Sequence, residues 1–280
     1  MAKKPIQCEN EYGLLKEVVV CEPTFMAIEE AINRTQRKYM DENINRDIAS
    51  QQHQALVTAM EKEGIRVYSV PAHDHLPEQV FMRDSGFVIG TSLYVANLDR
   101  EIRKGEEMVL GEYLTKIGKP FAKASAGTVE GGDVVLANDE VYIGASGRTN
   151  KEGIEELRRL HPEKRIEMVS LDPDYLHLDC VFQPVSETQA LIYREALSKK
   201  AVDMLAQRFS LIDVPKEEQF HLGVNVLSIG NKRVIALPMN ENTNAQLQAH
   251  GFTIIEVDFS EIIKSGGSFR CVTMPLVRSN

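Results

Sequence analysis

Four turn signals stand at nearly equal intervals along the chain, and no other feature restricts its fold as much. Gly90-Thr91-Ser92, Asn138-Asp139, Ser186-Glu187 and Gly230-Asn231 lie roughly 44–48 residues apart, a period that marks repeat architecture. Each turn sits between two short apolar runs that read as a β-hairpin, over 87–95, 133–143, 181–193 and 224–237. After each hairpin comes a helical stretch and then one more strand. The helices are expected over 101–117, 150–160, 198–209 and 243–250, and the closing strands over 120–124, 165–171, 211–214 and 253–257. The start of the chain supplies a fifth unit: strand 16–21, helix 46–62 with Ile48, Gln52, Leu56 and Met60 on one stripe, and strand 66–70. Its missing first strand is expected from 272–277 at the far end. The two chain ends then pair, and a ring of five ββαβ units closes with no open edge. The fold class is α+β, in a single domain spanning 1–280, since no Pro/Gly-rich linker divides the chain. The competing reading is an open α+β sheet with coincidental spacing.

Composition narrows the partners. A net charge of −9 argues against nucleic acid and suits a cationic small molecule. No apolar run approaches the ~20 residues that span a bilayer, so no membrane partner is expected. Residues 1–5 are basic but no apolar stretch follows, so no secretory signal is read. The four cysteines, Cys8, Cys21, Cys180 and Cys271, form no CxxC pair and read as reduced thiols, which implies a cytoplasmic location. Homo-oligomerisation stays open.

The residues just ahead of each unit's first strand are polar where core is expected. They are Arg83-Asp84, Glu130-Gly131-Gly132-Asp133, His177-Leu178-Asp179, the stretch 221–225, and Arg270-Cys271. The steps from Asp84 to Glu130 to His177 match the repeat period. Equivalent positions in a ring converge on its axis, so Asp84, Glu130, His177 and Cys271 are expected to share one pocket. His177 and Asp179, two apart on an extended segment, are expected to face one side. Cys271 is expected to open the last strand, behind Gly266-Gly267, where glycine allows close approach. Singly, each has a bland reading: an inert buried thiol, a satisfied histidine, a turn aspartate. At matching phase they point to a site. No His/Cys pair has metal-ligand spacing, and neither metal nor cofactor is expected.

These motifs resemble the guanidine-modifying (pentein) superfamily, most of all its dimethylarginine dimethylaminohydrolase and arginine deiminase branches. The resemblance rests on Phe81-Met82-Arg83-Asp84, Glu130-Gly131-Gly132-Asp133, Gly144-Ala145-Ser146-Gly147-Arg148-Thr149-Asn150, His177-Leu178-Asp179, and Gly266-Gly267 with Cys271. Tyr12-Gly13-Leu14-Leu15-Lys16-Glu17-Val18-Val19-Val20 fits as well. The fold it implies is a five-bladed αβ-propeller. Asp179 departs from the dimethylarginine branch, which carries Lys after His-Leu, and looks like the deiminases and amidinotransferases. The compact length and the Arg148 motif look like the dimethylarginine branch. The N-substituents of the substrate stay open between the two.

The resemblance implies a small-molecule guanidino substrate and a hydrolase of C–N bonds in linear amidines. Asp84 and Asp179 would hold the guanidinium, whose N–H fork matches a carboxylate. Cys271 as thiolate would attack the central carbon. His177 would protonate the departing amine and then deprotonate water, with Glu130 beside it raising its pKa. The result is a covalent thiouronium and then a ureido product such as citrulline. Arg148 and Arg103 would contact the substrate carboxylate, with Arg270 an alternative for that role. Asp133 and Asn225 read as supports of the strand starts. The polar stretch 22–45 is expected to act as a lid. Two other readings remain: an amidinotransferase sharing every catalytic residue, and a non-catalytic propeller that binds a partner.

Overall fold

The computed structural model describes residues 6–279; the basic start, residues 1–5, lies outside them. Five three-stranded sheets follow one another along the chain. The first contains β1 (Leu14–Cys21) and β2 (Arg66–Val70), paired in parallel. The second is β3 (Gly86–Ile89), β4 (Ser92–Val95) and β5 (Ala122–Lys123), and the third is β6 (Val134–Ala137), β7 (Glu140–Ala145) and β8 (Arg165–Ser170). The fourth is β9 (Phe182–Pro184), β10 (Gln189–Ile192) and β11 (Ser210–Asp213), and the fifth is β12 (Leu227–Gly230), β13 (Arg233–Ala236) and β14 (Thr253–Glu256). In the last four sheets a hairpin pairs antiparallel, and its second strand then pairs parallel with a strand that returns after a helix. A parallel pair needs such a crossover, and the helices Glu106–Lys116, Lys151–Leu160, Lys199–Arg208 and Glu241–Ala249 supply it. In the first sheet the helix Arg46–Lys62 does the same.

The hairpins close where the turn residues allow it. Gly90 and Asn138 sit at φ 59° and 61°, a left-handed backbone that glycine and asparagine adopt at low cost. The last strand, β15 (Met274–Ser279), pairs antiparallel with β1, Leu14 facing Ser279 and Val19 facing Met274. The first sheet therefore takes strands from both ends of the chain. Its β15 lies against β3 and its β1 against β12, so it touches the second and fifth sheets at once. The strands that begin the second to fifth sheets, β3, β6, β9 and β12, are buried along their whole length. The closing strands β2, β8 and β14 are partly exposed. Burial thus rises toward the residues ahead of each first strand.

Three local departures from the expected elements matter for the site. The helix expected over 101–117 is broken: Glu101–Arg103 is a 3-10 turn, Gly105 takes φ 105°, and the α-helix begins at Glu106. That break turns Arg103 inward, where it is 1% exposed. The final strand starts at Met274, because Phe269–Val272 forms a helical turn, so Cys271 lies on that turn and does not open the strand. The stretch 22–45 contains a helix, Arg34–Tyr39, N-capped by Asn33, which accepts from the Gln36 amide.

Candidate active site

Short helical turns precede four of the inner strands: Met82–Ser85 before β3, Gly131–Asp133 before β6, Leu178–Cys180 before β9, and Phe269–Val272 before β15. All four are buried and the first touches the second and the fourth, while the second touches the third. Close approach is what Gly132 permits: a Cβ there would lie 2.7 Å from His177 Nδ1 and 2.8 Å from Asp84 Oδ1. At Gly266 the requirement is conformational, since φ 94° ends the turn Ile262–Ser265.

One cluster centres on His177. Its Nε2 lies 2.7 Å from Glu130 Oε2, and its Nδ1, which makes no hydrogen bond, lies 3.6 Å from Asp84 Oδ1. Arg103 donates from Nη1 to Asp84 Oδ2 at 2.6 Å and from Nη2 to Glu106 Oε2 at 2.7 Å. Arg148 donates to Glu130 Oε2 at 3.4 Å and to the Ile32 carbonyl at 3.2 Å. Burial alone would pull His177 down, but the carboxylates of Asp84, Asp133 and Glu130 outweigh it and raise the imidazole pKa. Burial pushes the Glu130 carboxyl up, but His177, Arg103 and Arg148 hold it below the usual carboxylate range.

A second cluster centres on Cys271. Its Sγ lies 3.7 and 3.9 Å from the two oxygens of Asp179. Arg270 donates from Nη1 to Asp179 and from Nη2 to Glu11 Oε1 at 3.0 Å and the Val134 carbonyl at 2.8 Å. Asn225 ties the two turns together: its Oδ1 accepts from the Cys271 amide and its Nδ2 donates to the Asp179 carbonyl, both at 3.2 Å. Asp133 supports the next turn, its Oδ1 accepting from the Leu178 amide at 2.9 Å. The expectation that His177 and Asp179 face one side does not hold. Only His177 is extended; Asp179 lies within the 3-10 turn, where alternation no longer applies, and the side chains join different clusters.

A narrow cavity adjoins both clusters, lined by Asp84, Arg103, Arg148 and Cys271 together with Glu78 and Ser265. His177, Glu130, Asp179 and Arg270 are not among the lining residues and stand behind it. The stretch 22–45 reaches the cavity wall through Ile32 and Asn33, Asn33 donating to the Ser265 carbonyl at 2.9 Å. Gln36 latches it, donating to Glu78 Oε1 at 2.6 Å and Ser265 Oγ at 2.8 Å. Burial pushes the Glu78 carboxyl up to about 8, against the pull of Arg103.

Glu78, Glu11 and Cys180 were not anticipated, and each stands beside a motif that was. Glu78 is three residues ahead of Phe81, Glu11 immediately precedes Tyr12, and Cys180 immediately follows Asp179. Widening those motifs by one to three residues finds all of them. Two donor groups, Asp84–Glu130–His177 and Asp179–Cys180–Cys271, each have atoms within 4.8 Å of one another. Guanidinium groups already occupy both, Arg103 and Arg148 in the first and Arg270 in the second, so a metal cation there would face fixed positive charge.

Comparison with known proteins adds the following. A family model described as N,N dimethylarginine dimethylhydrolase, eukaryotic, matches residues 22–278. YkgA of Bacillus subtilis, described as an uncharacterized protein, is 48% identical over 271 residues, covering 97% of this chain and 95% of its own. The N(G),N(G)-dimethylarginine dimethylaminohydrolase of Pseudomonas aeruginosa is 28% identical over 230 residues, covering 81% of this chain and 87% of its own. Among solved structures, SxtG, an amidinotransferase of the saxitoxin biosynthetic pathway from Microseira wollei, matches with a TM-score of 0.86 at 21% identity. That match covers 99% of this chain and 98% of SxtG, and at such identity it speaks to the fold alone.

Proposed function

The chain belongs to the N,N dimethylarginine dimethylhydrolase family of the guanidine-modifying pentein superfamily, and from that premise we propose that it is a hydrolase cleaving a C–N bond of an arginine-like guanidino compound. The observation that supports this reading is a cavity lined by the Cys271 thiol, Asp84, Glu78, Arg103 and Arg148, with the His177 imidazole next to Asp84. In the proposed cycle the guanidinium lies against Asp84, whose Oδ1 is buried and makes no hydrogen bond. Arg148, at the cavity wall, takes the substrate carboxylate. Arg103 and Arg270 serve differently: their donors already hold Asp84 and Asp179, so they fix the carboxylates around the reacting carbon. Asp179 contributes its charge beside the sulfur.

The Cys271 thiolate attacks the guanidinium carbon and forms the C–S bond. His177, protonated, gives a proton to the departing nitrogen as the C–N bond breaks. Its Nε2 is held by Glu130, so the mobile proton is the one on Nδ1. The thiouronium then takes up a water that His177 deprotonates, the C–S bond breaks, and a ureido product leaves with the thiolate restored. A citrulline-type colorimetric screen across arginine, its methylated forms, agmatine and guanidino acids tests this reading. No ureido product from any of them sinks it. Transfer of the amidino group to added glycine or ornithine, in place of ureido product, makes the enzyme an amidinotransferase.

Glu130→Gln removes a charge that helps keep His177 protonated. A step that needs the imidazolium is lost as pH rises through the His177 pKa, so lowering that pKa moves the alkaline limb of the rate profile to lower pH. A displacement of about one pH unit is expected; an unmoved limb would cut the link between the two residues. Glu78 yields a second measurement. With its pKa at about 8 it is mostly uncharged near neutrality, and an arriving guanidinium favours its ionised form. Binding near pH 7 should therefore release a proton, read by calorimetry in buffers of different ionisation heat with the Cys271→Ser protein. Proton release that persists in Glu78→Gln would confine Glu78 to latching the lid.

A further inference from the structure

The proposed cycle uses one thiol, yet two meet at the site. Cys180 ends the turn before β9 and Cys271 lies on the turn before β15, and both are free and buried. Their sulfurs and an Asp179 oxygen all lie within 4.8 Å of one another, and Cys180 Sγ is 3.5 Å from Asp179 Oδ1. Each sulfur also borders its own cavity. Cys271 lines the one beside Asp84 and Arg103, and Cys180 lines a neighbouring one beside Arg34 and Tyr175, with Phe220 on its wall. Asn33, Leu176 and Gly266 border both. The remaining cysteines are unlike this pair: burial pushes Cys8 and Cys21 up to about 12, and neither lines these cavities.

We propose that Cys180 and Cys271 are an oxidative modification site, closing to a reversible disulfide under a peroxide and thereby withdrawing the nucleophile. The Cys271 thiolate attacks one peroxide oxygen; the O–O bond breaks, hydroxide leaves and Cys271 becomes a sulfenic acid. The Cys180 sulfur then attacks the sulfenic sulfur, the S–O bond breaks, and the thiol proton leaves with the hydroxyl as water. Two thiols lose two electrons, and one hydrogen peroxide becomes two waters. A disulfide needs its sulfurs about 2 Å apart, so closing the bond requires the two side chains, now within 4.8 Å, to move toward each other. Cys180 is the resolving partner: the hydrogen bond with Cys271, burial and the Asp179 charge all hold its thiol well above the usual range, which disfavours it as the first to react. Without Cys180 the sulfenic acid loses its resolving thiol and oxidises further.

The bond itself does not depend on the proposed activity, whereas its effect on turnover rests on that reading. The intact protein is treated with hydrogen peroxide, denatured in iodoacetamide and digested, and its peptides are weighed. The expected product is a Cys180–Cys271 linked peptide lighter by two hydrogens than the free thiols, with Cys8 and Cys21 alkylated. Dithiothreitol should abolish the link and raise turnover of the responsive guanidino substrate roughly tenfold from the oxidised level. In Cys180→Ser, peroxide should carry Cys271 to the sulfinic acid, and dithiothreitol should restore little of the activity of its own untreated sample. Cys271 recovered as sulfinic acid in the parent protein, or linked to Cys8 or Cys21, overturns the proposal. A Cys180–Cys271 peptide from a protein that turns over no guanidine supports the modification site while removing the hydrolase. Turnover without that peptide does the reverse.

Discussion

Cys271→Ser is expected to lower turnover by about 10⁴-fold or more, because a neutral hydroxyl is a far weaker nucleophile than a thiolate near pH 7. The fold should hardly notice. The sulfur's polar contacts are long ones to Asp179 and the one with Cys180, and the contact with Asn225 belongs to its backbone amide. A stability change within about 1 kcal/mol is expected for so close an isostere. Binding should survive as well, since Asp84 and Arg148 are untouched. The variant therefore separates chemistry from recognition: calorimetric affinity for the responsive substrate stays while product formation stops. Acid-quenched parent protein should carry the amidino adduct on the Cys271 peptide, and the variant should carry none. Activity within tenfold of the parent, with the variant's sequence verified, would assign the attack to another group.

Much of the fold and of the clustering of its polar turns was legible beforehand, and the reason is local. Hairpin turns are short-range objects, and Gly90 and Asn138 announce theirs by tolerating the left-handed backbone the turns adopt. Five units with phase-matched polar heads then force those heads together, whatever the details of packing. What stayed hidden was the pairing among them. The turns that carry Asp84, Asp179 and Cys271 are three or four residues long, too short to print a helical period on the sequence. Extended backbone was expected instead, with the wrong facing of Asp179 as the consequence. Arg103 lay in what reads as one exposed amphipathic helix, and only the break at Gly105 turns it toward Asp84. The partnership of Arg270 with Asp179 spans 91 residues of chain and that with Glu11 spans 259. No window of sequence contains either, so Arg270 was read as a substrate contact.

That long-range network sets up the second large effect. Arg270→Met should destabilise the protein by about 3–5 kcal/mol near pH 7, because it leaves buried carboxylates on Asp179 and Glu11 without their shared cation. The pH dependence distinguishes this from lost packing. Burial pushes Glu11 up, but Arg270, Arg83 and Arg278 pull its pKa down to about 2 from an ordinary value of 4.5. A carboxyl depressed in the folded state contributes stability above its unfolded pKa and loses it as pH falls through the folded one. The parent protein therefore gives up that contribution between about 4.5 and 2, whereas the variant never had the part due to Arg270. The gap between the two, measured by urea unfolding, should be widest near neutrality and narrow below pH 4.5. Adding Glu11→Gln to Arg270→Met should recover stability, since it deletes one of the stranded charges. A gap of constant size from neutral to acid pH, with no recovery in the double variant, would mean that Arg270 fills space at the centre of the fold and that its charge is incidental to how Asp179 is held beside the sulfur.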